Sequence, residues 1–203
     1  MLSACLAAAS NAVARADERG SVASAPSLLA EPGTPFIGNP QGRDIVVEFF
    51  DYRCTPCRAL QPELRRLLRE DGEARVVLKE WPILGGVSLY AARVALAANR
   101  QGKFRAVHEG LFASRGPLDR ARVRQIAEDA GVDMARLDRD LAARGAELDH
   151  LLVRNWDEAT ALGLKGPPGL VIGGHVVSGA LSFDDLQSLI AEARAKPDES
   201  AAR

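Results

Sequence analysis

IVVEFFDYRCTPCRALQPELRRLL, running from Ile45 to Leu68, joins an apolar run to a short polar turn, two cysteines three positions apart and a helical pattern. Ile45 to Phe50 is short, β-branched and aromatic, which suits a strand buried on both faces of a central sheet. Leu60, Leu64, Leu67 and Leu68 then recur at helical spacing, so strand gives way to helix around Asp51 to Arg53. Cys54 thereby falls at or just before the helix start, where unpaired N–H groups and the positive end of the helix dipole favour a thiolate. Cys57 lies one turn deeper, near enough to close a small disulfide and less open to solvent. The spacing predicts that Cys54 attacks and Cys57 resolves.

Glu48 interrupts the apolar strand six residues before Cys54. A lone carboxylate is costly to bury unless it has work to do, and the work expected here is proton exchange with Cys57. An edge strand with Glu48 facing water is the plainer alternative. Pro62 sits inside the helical pattern, where it removes one backbone bond to Arg58 and kinks the helix.

The CxPC dithiol, the helix proline five residues after the second cysteine and the acid six before the first together resemble the thioredoxin superfamily. The wording IVVEFFDYRCTPC, then KEWPILG and later GPPGLVIGGHVVSGALSFDDL, looks more specifically like the DsbA-like bacterial disulfide oxidoreductases, over about residues 31 to 195. That resemblance implies an α/β thioredoxin fold, a mixed central sheet flanked by helices, with an all-helical cap inserted between the second and third strands of the motif. It also implies a cis-proline before the third strand that packs against the dithiol and helps hold substrate backbone; the matching residue is Pro168. Two departures stand out. Thr55-Pro56 between the cysteines lacks the histidine of the strongest oxidants, and Pro167 stands where the family usually has Thr or Val. Pro167 has no N–H to offer a bound peptide, so one substrate hydrogen bond should be missing.

With 203 residues, 47% hydrophobic, the chain has the length for one good core and one domain. A formal net charge of −1 offers no electrostatic footprint for nucleic acid. No apolar run of about 20 residues follows the N-terminus to span a membrane.

Residues 1–16, MLSACLAAASNAVARA, are small and apolar and end on Ala14-Arg15-Ala16, like a secretory cleavage site. Removal after Ala16 is expected. Leu2-Ser3-Ala4-Cys5 resembles a lipobox, but only one residue precedes it, so a lipid anchor on Cys5 is not expected. Cleavage would leave both remaining cysteines in the CxxC, which fits a catalyst in an oxidising compartment better than a disulfide-stapled scaffold. Residues 17–35 read as a linker and 196–203 as a disordered tail.

Residues 36–195 form the expected domain. Pro35 to Gly42 enters the sheet by turns, and Arg75 to Glu80 is a second strand with nothing in it that suggests chemistry. An insertion over about 88–164 reads as five helices, 88–100, 103–114, 118–130, 134–143 and 146–162, broken at Gly102, Gly116-Pro117, Gly131 and Gly145, with Asp119 and Asp133 near N-cap positions. His108 and His150 fall within these helices and read as structural or exposed rather than catalytic. Leu170 to Ile172 and His175 to Ser178 are two more strands around a Gly173-Gly174 hairpin turn, and a helix from Phe183 to Ala195 is capped by Ser182.

The expected function is thiol-disulfide exchange with protein or peptide substrates in the periplasm, in the oxidising direction, supported by a redox partner the sequence does not name. Cys54 and Cys57 carry the redox-active disulfide, Glu48 relays the proton, and Pro168 with Pro167 shapes the substrate groove. No metal or organic cofactor is implied. A reductase or isomerase would use the same chemistry, and a glutathione-dependent enzyme a related fold, though usually with a serine. A copper-binding CxxC module is the alternative from another class; zinc needs more ligands than Cys5 and three scattered histidines offer.

Overall fold

The strand predicted from Ile45 is the centre of the sheet. The computed structural model describes residues 33–195, and in it β2 (Asp44–Phe50) lies between a parallel neighbour, β3 (Ala74–Glu80), and an antiparallel one, β4 (Gly169–Ile172). β5 (His175–Ser178) pairs antiparallel with β4, and β1 (Phe36–Gly38) pairs antiparallel with the outer edge of β3. The order is β1-β3-β2-β4-β5. The expected leader, Cys5, most of the linker and the tail lie outside the described residues.

Around the sheet run α1 (Thr55–Glu70), α2 (Gly86–Asn99), α3 (Phe104–Ala113), α4 (Arg120–Asp129), α5 (Met134–Ala161) and α6 (Phe183–Ala195). Period-two alternation sorts β2 between two apolar clusters. Val46 and Phe50 join Leu60, Leu64 and Leu67 of α1, Leu186 of α6 and the interior of the helical insertion; Val47 and Phe49 join Val77, Trp81 and Ala159 on the opposite face. The insertion falls between β3 and β4, the second and third strands of the motif, as expected.

Two expectations need correction. Pro35 to Gly42 is not turns alone, since Phe36–Gly38 forms β1 in register with Val77 to Arg75. Gly145 does not break a helix: α5 runs unbroken over 28 residues. A glycine inside a helix costs only about 1 kcal/mol, and Leu137 on one side of it and Leu148, Leu151 and Leu152 on the other are buried in the same cluster. The predicted caps stand. Asp119 accepts from Arg122 N–H and Asp133 from Arg136 N–H, while Ser182 and Asp185 bond reciprocally at the start of α6. Gly173 and Gly174 both have positive φ, 54° and 85°, which the two-residue hairpin turn demands.

Candidate active site

Asp51 builds the turn that delivers the dithiol. Its carboxylate accepts from Arg53 N–H at 2.8 Å, Ser88 Oγ at 2.8 Å and Leu84 N–H at 2.9 Å, tying the strand end to the loop after β3 and to α2. Its carbonyl accepts from Cys54 N–H at 3.0 Å. The chain then enters α1 with Cys54 as N-cap in extended conformation, φ −75° and ψ 117°. Cys57 N–H points at Cys54 Sγ from 3.1 Å, which is the helix-start amide expected to favour the thiolate.

Cys54 and Cys57 are joined by a disulfide, with Cα atoms 5.2 Å apart. Cys54 retains 4% of its surface exposed and Cys57 none. Pro167 and Pro168 meet in a cis peptide bond just before β4, and the Pro167 carbonyl oxygen lies 3.3 Å from Cys54 Sγ. The sequence places Pro167 113 positions from Cys54; the fold brings its carbonyl oxygen against the sulfur.

Glu48 is fully buried in the central strand, not on an edge. Burial pushes its carboxyl from an ordinary 4.5 up to about 8, against a smaller lowering from the Gln61 amide. Gln61, one turn beyond Cys57 on α1, holds its Nε2 3.2 and 3.3 Å from the Glu48 oxygens and 3.5 Å from the Cys57 carbonyl oxygen. A single amide thus links the buried acid to the backbone of the inner cysteine.

The sequence reading did not find the rest of this buried polar cluster. Tyr52 hydroxyl lies 3.0 Å from Glu80 Oε1 and 3.2 Å from His108 Nδ1, and His108 Nε2 lies 3.3 Å from Gln61 Oε1. Glu80 ends a strand that reads as having no chemistry, yet it is 1% exposed and burial drives its carboxyl well above the usual range. His108 sits in an aromatic cage of Phe50, Phe104 and Phe112. Burial, helped by Arg65, lowers its pKa from 6.5 to about 3, so the ring is neutral at physiological pH. The clue available beforehand was polarity in the wrong place, in Glu80 closing an apolar strand and Tyr52 beside the dithiol. His150 is exposed on α5. Among the described residues, no group of three or more His, Cys, Asp or Glu side chains is placed to hold a metal ion.

Comparison with known proteins agrees with this architecture. A family model described as Thioredoxin matches residues 30–192. A thioredoxin-like oxidoreductase from Silicibacter pomeroyi DSS-3 superposes with a TM-score of 0.82 at 38% identity, over 86% of this chain and 100% of that one. The thiol-disulfide exchange protein α-DsbA2 from Wolbachia pipientis gives 0.75 at 26% identity, over 80% and 88%. A periplasmic thioredoxin-like protein from Salmonella enterica serovar Typhimurium gives 0.71 at 27%, over 83% and 94%. A curated relative, a Na(+)/H(+) antiporter NhaA 1 of Salinispora arenicola, is 27% identical over 166 residues, 80% of this chain. The chain spans only 25% of that relative's length. Among the described residues, no helix is long and apolar enough to cross a membrane. With a matching family model over most of its length, a five-stranded mixed sheet and a Cys54–Cys57 pair at disulfide distance, the chain belongs to the thioredoxin family, with DsbA-like thiol-disulfide oxidoreductases among its structural neighbours.

Proposed function

We propose that this protein is an exported, periplasmic thiol-disulfide oxidoreductase that passes its Cys54–Cys57 disulfide to protein thiols. The observation that carries this reading is the asymmetry of the pair. Cys54 caps a helix, receives the Cys57 N–H and keeps the only solvent-facing edge, while Cys57 is sealed beneath it.

A substrate thiolate attacks Cys54 Sγ, the Cys54–Cys57 bond breaks, and the electron pair leaves on Cys57, which takes a proton from Glu48. A second substrate thiolate then attacks the substrate sulfur of the mixed disulfide and expels Cys54 as a thiolate held by the helix start. Two electrons have moved from substrate to dithiol, and a disulfide-bearing redox partner must remove them. Run backwards, Glu48 accepts the Cys57 proton so that Cys57 can resolve the mixed disulfide. Glu48 suits both directions because a carboxyl at about 8 exchanges its proton near neutral pH. Pro167 and Pro168 border the attack site and serve as the backbone wall of the groove. The periplasmic neighbour and the leader-like first 16 residues support the location.

The test is oxidation of a reduced dithiol peptide by the oxidised protein, followed by mass spectrometry. Transfer of one disulfide per protein, and a trapped mixed disulfide on Cys54 in Cys57→Ala, support the reading. Trapping on Cys57 in Cys54→Ala instead would reverse the assigned roles.

A further inference from the structure

The buried cluster behind the dithiol has a direction. The Cys57 carbonyl can only accept, and it lies 3.5 Å from the same Gln61 atom that faces both Glu48 oxygens, so that atom is the amide nitrogen. A flipped amide would set its oxygen against the Cys57 carbonyl. Gln61 Oε1 therefore faces His108, and since it only accepts, His108 Nε2 must carry a hydrogen. The ring is neutral in its aromatic cage, which leaves Nδ1 bare and makes it the acceptor for the Tyr52 hydroxyl. Tyr52 has one hydrogen and has now used it. The remaining contact, Tyr52 oxygen with Glu80 Oε1, closes only if Glu80 is the donor.

We propose that Glu80, Tyr52 and His108 are positioning residues, a one-way chain of donors that holds the Gln61 amide with its NH2 on Glu48, Glu80 being a neutral carboxylic acid. The chain runs Glu80, Tyr52, His108, Gln61, Glu48; Glu80, Tyr52 and His108 have one donor each, and spending it fixes the next link, down to the Gln61 amide. Its effect is felt at Glu48, whose carboxylate gains a donor that cannot turn away, and so at the proton exchange with Cys57. This extension rests on the assignment of Glu48 as the proton-exchange group.

The surroundings favour this arrangement. Burial above all, and then the charge of Asp51, which accepts three hydrogen bonds at the end of β2, disfavour an anion on Glu80. From α1, Arg65 opposes a proton on His108. Arg65 and Glu109 also line, with Gln61, Leu64 and His108, a cavity of about 20 Å³ beside the chain. That is room for about one water. On the far side, Asn155 Nδ2 donates to the Glu80 backbone oxygen at 2.9 Å and so fixes the residue without touching its carboxyl.

The primary test is nitrogen NMR of the His108 ring in the wild-type protein between pH 5 and 9. One proton, on Nε2, throughout the range is expected. A ring protonated on Nδ1, or on both nitrogens, would place the charge on Glu80 and overturn the chain. The kinetic test compares Glu80→Gln with Tyr52→Phe in the pH profile of mixed-disulfide resolution. Glu80→Gln keeps an N–H for Tyr52, so its midpoint should match the wild type. Tyr52→Phe frees His108 and Gln61, so its midpoint should rise by about one pH unit and the rate fall several-fold. A lowered midpoint in Glu80→Gln would mean that a negative charge had been removed and would contradict the proposal. If Glu48→Gln abolishes none of the pH dependence, the assignment of Glu48 fails, while the His108 tautomer still decides the chain.

Discussion

The two faces of the central sheet each bury an ionisable side chain from adjoining strands, and they treat it in opposite ways. Lys79 of β3 pairs in register with Phe49 and projects to the face covered by the end of α5, where its Nζ lies 2.7 Å from Glu158. Glu48 of β2 pairs with Leu78 and projects to the face covered by α1, where it meets the neutral Gln61 amide. Among the described residues no cation pairs with Glu48. A charge with a partner is structural, whereas one left only with a dipole is held near its own titration point and can give or take a proton. The proposed proton exchange belongs to the unpaired face.

The contrast breaks most completely if the dithiol is not the reactive group. Cys54→Ser should abolish disulfide transfer to a peptide dithiol, with loss beyond about a thousandfold measured by quenched-flow alkylation. Retained activity would detach the chemistry from this face altogether.

Stability against pH gives the next largest effect. The folded value of Glu48, about 8, lies above its ordinary 4.5, so the folded chain keeps a proton that the unfolded chain releases between those values. Stability from this group is full below about 4.5, falls as the pH rises through 8, and is flat above. Glu48→Gln should therefore gain a few kcal/mol at pH 9, at most roughly 1.4 kcal/mol for every pH unit that separates the folded from the unfolded value, and nothing at pH 4, read from denaturant midpoints. His108 works the other way. Its folded value of about 3 lies below 6.5, so its contribution is complete above 6.5 and is lost as the pH falls towards 3. Lys79→Met should cost about 2–3 kcal/mol, less than a fully buried pair because Glu158 keeps access to water. It should leave the exchange rate within about twofold of wild type. A slowed reaction in Lys79→Met would erase the distinction between the faces.

Resolution of the mixed disulfide sharpens the same point. Glu48→Gln should slow it by roughly 10- to 100-fold, at the low end of general-base effects, in stopped-flow kinetics with a model peptide. The smallest effect concerns the dipeptide. Thr55→His adds a potential cation beside the Cys54 thiolate and should raise the reduction potential by a few tens of millivolts, about 30 mV corresponding to about 1.4 kcal/mol. Equilibration with glutathione measures it.

Local pattern explains what the sequence disclosed. β2, the turn at Asp51 and α1 are legible because apolar period, helix start and CxxC occupy one continuous stretch. β1 is three residues long, too short to show a period, and exists because the edge of β3 offers it hydrogen bonds. Gly145 misleads because tertiary packing overrides a local propensity. The polar chain behind the dithiol left only the misplaced polarity of Glu80 and Tyr52 as a clue, and its pairings stay hidden for a different reason. Tyr52 finds Glu80 28 positions away and His108 56 away, and His108 finds Gln61 47 away. No spacing rule spans such separations; only the fold brings them together.

The reduction potential of the Cys54–Cys57 couple tests the central claim most directly. Oxidising power rises as the Cys54 thiolate is stabilised. Here the helix start and the Cys57 N–H stabilise it, while Thr55-Pro56 adds no charge and Pro56 removes an amide. Equilibration against glutathione should give a value between roughly −120 mV, typical of a strong periplasmic oxidant, and roughly −270 mV, typical of thioredoxin, nearer the middle than either end. A value at or below −270 mV, on the same approximate scale, would contradict the oxidising assignment and make the protein a reductase.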